Sequence, residues 1–247
     1  MNGILAMATN ATEERFRIVN EFLGFGVLHA PIWFIGIEEA GTWGKHPEND
    51  QQQYDKYALR WFPAEKGEFE RDARDKGRGY TKIYDIMSKL IVASTNPASH
   101  DFEGWKEFRN GKLFQPDGTT FQANVFPLGK SSTCHWPDHY KSVFGFGKED
   151  LCNYKQKVIT DRFPHLRSAW EEANPVITAC FGSSCWHYFE ELLKPVGTYE
   201  KFDNYRIYEN SGIVLTPFLN YRYMPHDLIK NVANRLRALW EMRYMPQ

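Results

Sequence analysis

The sequence predicts one α/β domain in which helices cover both faces of a central, mostly parallel sheet. Short apolar segments rich in β-forming residues alternate with segments of helical periodicity over the whole chain. Parallel strands that are joined by helices form sheets covered on both faces. A length of 247 residues and a hydrophobic fraction of 42% suit a single large core. We therefore expect a three-layer α/β/α sandwich over residues 1–247.

The individual elements follow from the spacing of apolar residues and the position of turn formers. In the first half we predict a helix starting at Thr12, a strand over 31–36, a helix over 80–92 and a strand over 121–126. In the second half we predict a helix over 151–170 interrupted near Pro164, strands over 175–181, 205–208 and 213–216, a helix ending near Leu193, and a last helix with Pro225 at its first position. Ligands of such sheets bind outside the carboxyl ends of the strands.

The segment from about residue 42 to residue 79 differs from its surroundings. It is polar and aromatic, and Gly and Pro interrupt it repeatedly. We interpret it as a long irregular insertion or lid that contains a short helix over about 52–59. Long loops in compact domains are commonly functional, so this lid belongs with the candidate site.

Composition limits the kinds of partner that the protein can have. The formal net charge is −1, which excludes a protein that coats nucleic acid through many phosphate contacts. Any contact with nucleic acid is therefore local, and the aromatic fraction of 16% suits base stacking as well as core packing. The chain start has no basic region, and no segment approaches the roughly 18 apolar residues of a membrane span. We expect a cytoplasmic monomer without a membrane partner.

The four cysteines give no sign of a metal site. Cys134, Cys152, Cys180 and Cys185 form neither a CxxC pair nor a zinc-like arrangement with histidines. We predict buried free thiols, no metal and no cofactor.

A pair of carboxylates follows the first predicted strand. In the sequence GIEEAGTWG, Gly36 and Gly41 flank Glu38 and Glu39 in a predicted turn at the edge of the sheet. A carboxylate at that edge could orient or deprotonate a water molecule. The alternative is that both are solvated loop acids, as most surface glutamates are.

An amide interrupts the second apolar strand. In QANVFPLGK, Asn124 lies among apolar positions and is followed by Pro127, Gly129 and Lys130. An amide at a strand end offers a donor and an acceptor, which reading the edge of a base requires. The alternative is that Asn124 satisfies neighbouring loop backbone.

Two further loops carry polar side chains at strand ends. In FGSSCWHYF, Ser183 and Ser184 stand at a helix start, where they could bind a phosphate or serve as ordinary caps. Ser184 and His187 lie three residues apart on one helix without an acid partner or a GxSxG turn, which argues against a hydrolase triad.

The loop before the last helix, LTPFLNYRYMPHDL, is dense in aromatic and polar residues for a strand-to-helix turn. A long side chain there could wedge into a base stack while Arg222 pairs with a phosphate. The alternative is an aromatic loop packed on the lid.

In this order the four segments resemble the uracil-DNA glycosylase superfamily, from Pro31 onward. The resemblance implies that Glu38, or alternatively Glu39, activates or positions water, and that Asn124 recognises the base. The proline that usually follows the first motif is absent. TPFLN resembles the family's histidine-containing motif, but Phe218 stands where histidine would be, or Thr216 does in a shifted register.

The resemblance further implies an enzyme that flips a base out of DNA and hydrolyses its glycosidic bond. Phe34 or Trp43 would stack on the base, with Phe218 and Asn220 beside it. The residues expected to hold the DNA are Lys130, Ser183, Ser184, Arg222, Tyr223 and His226.

The missing histidine and the long lid favour a target other than plain uracil. We expect a modified pyrimidine, such as the hydroxymethylated or glucosylated cytosine of some phage genomes, and hence a role in antiviral defence. Two alternatives remain open at this point: a non-catalytic nucleic-acid-binding module of the same fold, and a small-molecule α/β hydrolase or transferase that uses the lid as a cover.

Overall fold

The computed structural model describes residues 2–40, 46–64, 81–96, 101–130 and 135–244, without the side chains of 2–10, 39–40 and 81–82. The helices are α1 (Asn2–Glu21), α2 (Gln51–Ala58), α3 (Thr81–Thr95), α4 (Trp105–Gly111), α5 (Tyr140–Phe144), α6 (Leu151–Ala173), α7 (Trp186–Leu193) and α8 (His226–Tyr244). The strands are β1 (Gly24–Gly26), β2 (Ile32–Ala40), β3 (Trp61–Phe62), β4 (Thr120–Lys130), β5 (Ile177–Phe181), β6 (Glu200–Lys201), β7 (Arg206–Tyr208) and β8 (Ile213–Thr216).

These strands form one mixed sheet in the described part of the chain, in the order β3-β1-β4-β2-β5-β8-β7-β6. The four central strands, β4, β2, β5 and β8, are parallel to their neighbours in this group. β1 pairs antiparallel with β4, and β7 pairs antiparallel with β8. The predicted α/β class with a mostly parallel centre is therefore confirmed.

Helices bury both faces of this sheet, so the chain forms three layers. On one face, α1, α6 and α7 pack on alternate residues of β2 such as Trp33 and Ile35. On the other face, α3 and α8 pack on Ile32 and Phe34. Side chains that alternate along a strand point to opposite faces, which explains why one buried strand serves both cores.

Two strands are longer than the sequence predicts. β2 continues through the glutamates to Ala40, and β4 continues from Phe126 to Lys130 with a register shift between the two strands near Glu38. The pairing of β2 with β5 ends at Ile35, so residues 36–40 of β2, and residues 124–130 of β4 beside them, extend beyond the parallel centre. We call this two-stranded extension the strand arm. The glutamate pair thus lies on a strand and not in the predicted turn.

Pro127 fits inside β4 because the strand has only one neighbour at that level. β1 pairs with residues 121–123 of β4 and goes no further. Side chains take over part of its role: Tyr154 Oη accepts a hydrogen bond from Leu128 N at 3.1 Å, and Tyr140 Oη donates one to Gly129 O at 2.5 Å. Proline is tolerated where no ladder bond is needed.

The helices follow the predicted pattern with shifted ends. α1 begins at Asn2 and not at Thr12, and α6 runs through Pro164 without interruption. The short helix predicted in the lid is confirmed as α2, capped by Asp50, which accepts from Gln53 N at 3.2 Å. Pro225 precedes α8, where its carbonyl accepts from Ile229 N. Most of the remaining lid, 41–45 and 65–80, lies outside the described residues.

A membrane span was not expected from the sequence. In the ranges that the structure describes, no helix is both long and apolar enough to cross a bilayer.

Candidate functional site

The strand order places a crevice at the carboxyl ends of the central strands. The chain leaves β2 toward β4 on one side, whereas it leaves β5 toward β8 on the other. In open α/β sheets the ligand site lies where the connections diverge in this way. Here that place is bounded by β2, β5 and the strand arm, which carries Glu38 and Asn124.

Glu38 is a buried carboxylate and not a solvated loop acid. Its side chain is 13% exposed, and Lys130 Nζ lies 3.0 Å from its Oε2. The Lys130 side chain is itself only 10% exposed. The two residues come together because β2 and β4 run in parallel and the register shift near Glu38 brings Lys130 level with Ala40.

Burial raises the pKa of Glu38 above its ordinary value of 4.5. The loss of solvation is the largest effect, because a charged group is less stable where water is excluded. Lys130, and more weakly Lys155, act in the opposite direction by stabilising the carboxylate. The Glu38 carboxyl group therefore keeps its proton to a higher pH than an exposed glutamate does.

Lys130, which the sequence suggests as a DNA-contacting residue, is paired and mostly buried in the structure. Its ammonium group is engaged by Glu38 and lies 5.8 Å from the centre of the Trp136 ring. Its side chain is mostly enclosed at the end of the strand arm, so it is not presented as an exposed surface lysine. For Glu39, the structure places the backbone in β2, and the side chain lies outside the described part.

Asn124 lies beside Gly36 on the neighbouring strand. The two residues are direct partners in the parallel register. A Cβ atom on Gly36 would come within 2.6 Å of Asn124 Oδ1 and 2.8 Å of Phe181 Cζ. Because Gly36 has no side chain, the amide of Asn124 and the ring of Phe181 can occupy the space next to it on β2.

The side chain of Asn124 is mostly enclosed beside Gly36. Asn124 is only 8% exposed, yet within the described ranges no residue forms a hydrogen bond with its side chain. A ligand that presents a donor and an acceptor would complete this group.

The backbone of Asn124 is held by a buried arginine of α6. Arg162 is 2% exposed and donates to the carbonyl of Asn124 from Nε at 3.2 Å and from Nη2 at 2.9 Å. Its Nη1 also donates to Asn20 O at 2.6 Å and to Phe22 O at 2.5 Å. Arg162 therefore joins the strand arm to the end of α1.

Of the two aromatic residues expected to stack on a base, Phe34 is placed elsewhere. It is 1% exposed and packs in the core, with its ring centre 6.4 Å from that of Phe114. It lies two residues before Gly36 and so is below the open edge, which makes it a core residue. Trp43 lies outside the described residues.

Phe181 and Phe218 form the aromatic pair at the edge. Phe181, the last residue of β5, reaches Gly36, and its ring centre lies 6.2 Å from that of Phe218 in an edge arrangement. Phe218 is 37% exposed, whereas Thr216 is fully buried and donates from Oγ1 to Pro217 O at 3.0 Å. Phe218 is thus the residue of the two whose side chain borders the crevice, whereas Thr216 is buried below it.

Asn220 shapes its own loop and does not point a free acceptor at a base. Its Oδ1 accepts from the backbone N of Arg222 at 3.0 Å and of Tyr223 at 3.2 Å. This turn leaves Phe218, Tyr221 and Tyr223 at least one-third exposed, while Leu219 and Met224 anchor the loop in the core. Asn220 therefore supports the loop from inside.

The other residues expected to contact DNA lie in the loops that follow β5 and β8 or at the start of α8. We call these two loops the rim of the crevice. Ser183 and Ser184 are exposed in a single 3-10 turn before α7, and neither caps a helix by a side-chain hydrogen bond. Arg222 is exposed and lies over the ring of Tyr223 at 5.6 Å. His226 is exposed as the first residue of α8, with its ring centre 5.1 Å from that of Phe102.

The loops after β5 and β8 share one hydrogen-bond acceptor. The carbonyl of Thr216 accepts from Gly182 N at 3.0 Å and from Trp186 Nε1 at 3.0 Å. Gly182 has a φ of +127°, which side-chain-bearing residues rarely adopt, and a Cβ there would come within 2.9 Å of Ile37. The turn that contains Ser183 and Ser184, which we call the serine turn, is therefore connected to the 217–225 loop through the carbonyl of Thr216.

Sequence reasoning missed three residues of this arrangement. Arg162 reads as one charge in a long amphipathic helix, and no local pattern reveals its contact with Asn124. Phe181 reads as ordinary strand core. Lys89 is equally inconspicuous, yet its Nζ donates to Tyr221 Oη at 2.9 Å and lies 4.9 Å from the Trp105 ring centre. All three depend on contacts between segments far apart in the sequence.

In the described ranges, no group of three or more His, Cys, Asp or Glu side chains could hold an ion. The predicted burial of the thiols holds for Cys180, whose pKa burial raises well above the ordinary value. It is wrong for Cys152, which is exposed on α6, and Cys185 is half-buried. Cys134 lies outside the described part.

Comparison of the sequence with protein-family models and with curated proteins finds no match.

Proposed function

We propose that the protein is a DNA glycosylase with a uracil-DNA glycosylase-like fold, which hydrolyses the N-glycosidic bond of a flipped, modified pyrimidine and leaves an abasic site. The observation that carries this proposal is the position of two largely enclosed polar groups on the strand arm. A carboxylate, Glu38, and an amide without a described partner, Asn124, lie on adjacent strands at the edge where ligands of such sheets bind.

The two groups suit the two tasks of glycosidic hydrolysis. The amide of Asn124 can donate to and accept from the edge of an extruded base. The carboxylate of Glu38 can guide a water molecule to the anomeric carbon and stabilise the positive charge that develops on the sugar. Exclusion of water strengthens this electrostatic effect, and the Glu38 side chain is only 13% exposed.

The rim around these groups suits a nucleic acid. Phe218 is 37% exposed and rests on the buried Phe181, so a base can stack on its ring. Ser183, Ser184 and Arg222 are exposed on the loops after β5 and β8, where they can contact phosphates. The formal net charge of −1 agrees with a small number of such contacts around one flipped nucleotide.

A modified pyrimidine fits better than plain uracil. The sequence resemblance implies a histidine that stabilises the departing uracil oxygen, and Phe218 occupies that border position here. The phenyl ring of Phe218 cannot donate this hydrogen bond. A base that departs without this hydrogen bond, or a base with a bulky substituent, is therefore favoured. Hydroxymethylated or glucosylated cytosine of phage DNA is such a base, and its removal would serve antiviral defence.

The test is incubation of the purified protein with duplexes that contain uracil, hypoxanthine, methylated cytosine or phage-modified cytosine. Mass spectrometry identifies any base that is released, and alkali cleavage reveals abasic sites. We expect release of a modified pyrimidine and little or no release of uracil.

Two variants separate catalysis from binding. Glu38→Gln keeps the shape of the side chain but removes the charge, so we expect base release to fall about 100-fold or more while the duplex is still bound. Asn124→Ala should weaken both recognition and release. DNA binding without base release by the parent protein would instead favour a non-catalytic binding module. No DNA binding, together with hydrolysis of small esters that survives Asn124→Ala, would favour a small-molecule hydrolase.

A further inference from the structure

We propose that Lys130 gives the same site a second activity, in which its amine condenses with the aldehyde of an abasic sugar and the DNA strand is then cleaved on the 3′ side. This inference rests on the proposed function, because it requires an abasic deoxyribose to lie beside Glu38. It concerns the product of base removal and not the target base.

The geometry places a nucleophile where the sugar would lie. If Glu38 guides water to the anomeric carbon, a group in contact with Glu38 is separated from that carbon by no more than the carboxylate and one water molecule. Lys130 Nζ is such a group, at 3.0 Å from Glu38 Oε2. Lysine amines form Schiff bases with carbonyl compounds, and the abasic sugar exposes an aldehyde at the same carbon in its open form.

The surroundings of Lys130 differ from those of the surface lysines. Its side chain is 10% exposed, whereas those of Lys141 and Lys157, which also form ion pairs, are 65% and 51% exposed. Burial of an ammonium group is costly even when it is paired, so a lysine that serves only to bridge two strands would be replaceable by apolar residues. Low solvation is the condition in which lysine serves as a nucleophile.

Glu38 supplies the proton acceptor that the reaction needs. A lysine attacks only as a free amine, so the ammonium group must first give a proton to a neighbour. Burial raises the pKa of Glu38, which makes transfer of this proton from Lys130 to the carboxylate less unfavourable.

The steps balance without an added oxidant or reductant. Lys130 transfers a proton to Glu38, and the free amine forms a C–N bond with C1′. The resulting hydroxyl group leaves as water after it accepts that proton, which gives a protonated imine and restores the Glu38 carboxylate. Glu38 then removes a proton from C2′, and the electron pair breaks the C3′–O3′ bond and releases the phosphate. Hydrolysis of the imine frees Lys130.

The experiment uses the full chain and a duplex with a preformed abasic site, so it does not depend on base removal. Sodium cyanoborohydride reduces an imine to a stable amine, which links protein to DNA. We expect a covalent adduct that peptide mass spectrometry locates at Lys130, and strand cleavage in the absence of the reductant. A duplex with a tetrahydrofuran abasic analogue, which has no aldehyde, sets the background.

Variants make the assignment specific. Lys130→Arg keeps the charge beside Glu38 but cannot form an imine, so its adduct should fall to the tetrahydrofuran background while its melting temperature stays near that of the parent. Lys141→Arg, a change at an exposed paired lysine, should leave the adduct unchanged. Absence of an adduct in the parent, or an adduct that persists in Lys130→Arg, would overturn the inference. Base release measured separately on modified DNA shows whether the proposed function survives that result.

Discussion

At the scale of single residues, the site depends on how little space is left between β2 and its neighbours. Gly36 has no side chain, and the atoms that its Cβ would meet belong to Asn124 and Phe181. A contact of 2.6 Å to Oδ1 is closer than real Cβ atoms approach, so any larger residue must move the amide. The position of the amide is therefore a consequence of a glycine on the next strand.

Gly36→Ala should disturb the site more than the fold. The added methyl group must displace the Asn124 amide or the Phe181 ring, so we expect base release and ligand affinity to fall at least about tenfold. We expect the free energy of unfolding to fall by about 1–3 kcal/mol, as for other overpacked positions. Gly111→Ala is the matched control, because its Cβ would meet nothing within 4 Å. Equal activity of the two variants would contradict the assignment of Asn124.

The pH dependence of base release should follow the protonation of Glu38. Since the reaction needs the carboxylate and burial raises its pKa, the rate should fall with decreasing pH at values above the ordinary 4.5. Lys130→Met removes the cation that opposes this shift, so the acid limb should move to still higher pH. Lys130→Arg, which keeps the charge, should leave it near its original place. Single-turnover base release over a pH series measures all three.

The raised pKa of Glu38 also makes the free energy of unfolding depend on pH in a definite direction. A carboxyl group whose pKa is higher in the folded protein than in the unfolded chain binds its proton more tightly when folded. The contribution of Glu38 therefore becomes more favourable as the pH falls through the raised pKa, and less favourable as the pH rises. In the pH profile of base release, a fall in the rate of the parent protein only at the ordinary pKa of glutamate would contradict the burial of Glu38.

At the scale of elements, the strand arm stands on contacts made by helices. The pairing of β4 with β1 extends only to Ala123, and beyond it the backbone of β4 is held by side chains of α5 and α6. Arg162 is the central one, since it donates to the carbonyls of Asn124, Asn20 and Phe22. A buried cation thus connects the candidate site to the end of α1.

Arg162→Met should destabilise the protein and weaken the site together. The variant leaves buried carbonyls without their donors, so we expect a loss of about 3 kcal/mol or more in the free energy of unfolding, measured with urea. Arg162→Lys retains the charge but not the planar set of donors, and we expect an intermediate loss. A full-stability Arg162→Met variant would show that these hydrogen bonds do not hold the arm.

The sequence predicts the buried elements well and the edges poorly. The central strands and the long helices have continuous apolar patterns, which survive without knowledge of their neighbours. β2 and β4 are predicted too short because their last residues include Glu38, Pro127 and Lys130, which are read as loop residues until their partners are known. The short strands β1, β3 and β6 have two or three residues each and leave no periodic signal.

For the candidate site, the sequence identifies residue types at strand ends but not their contacts. Glu38, Asn124 and Phe218 stand out because they are polar or aromatic residues next to turn formers. That Lys130 pairs with Glu38, and that Phe34 lies in the core, depends on the register between strands and on which face each residue occupies. Those facts require the sheet to be assembled first.

At the scale of the whole molecule, a net charge of −1 limits how DNA can be held. A binding surface with few cations releases few counterions, so affinity should depend only weakly on salt. Specificity would then come from the flipped nucleotide and the rim and not from a long basic groove.

Arg222→Ala should reduce the salt dependence of DNA affinity by the contribution of one phosphate contact. If Arg222 contacts one phosphate, the slope of log affinity against log salt should become smaller by about 1. Lys157→Ala removes an exposed cation from α6, away from the rim, and should leave the slope unchanged. Fluorescence anisotropy at several salt concentrations gives both slopes. Equal slopes for the parent and Arg222→Ala would remove Arg222 from the DNA interface.

The shared acceptor at Thr216 makes the rim a cooperative unit. Because the amide of Gly182 and the indole of Trp186 both donate to this one oxygen, the serine turn cannot leave the sheet without loosening the base of the 217–225 loop. Ordering of either loop by a bound strand therefore lowers the entropy that the other must still lose. Hydrogen exchange at the Gly182 amide would report this coupling, since its protection should increase when a ligand contacts only Arg222 or Tyr223.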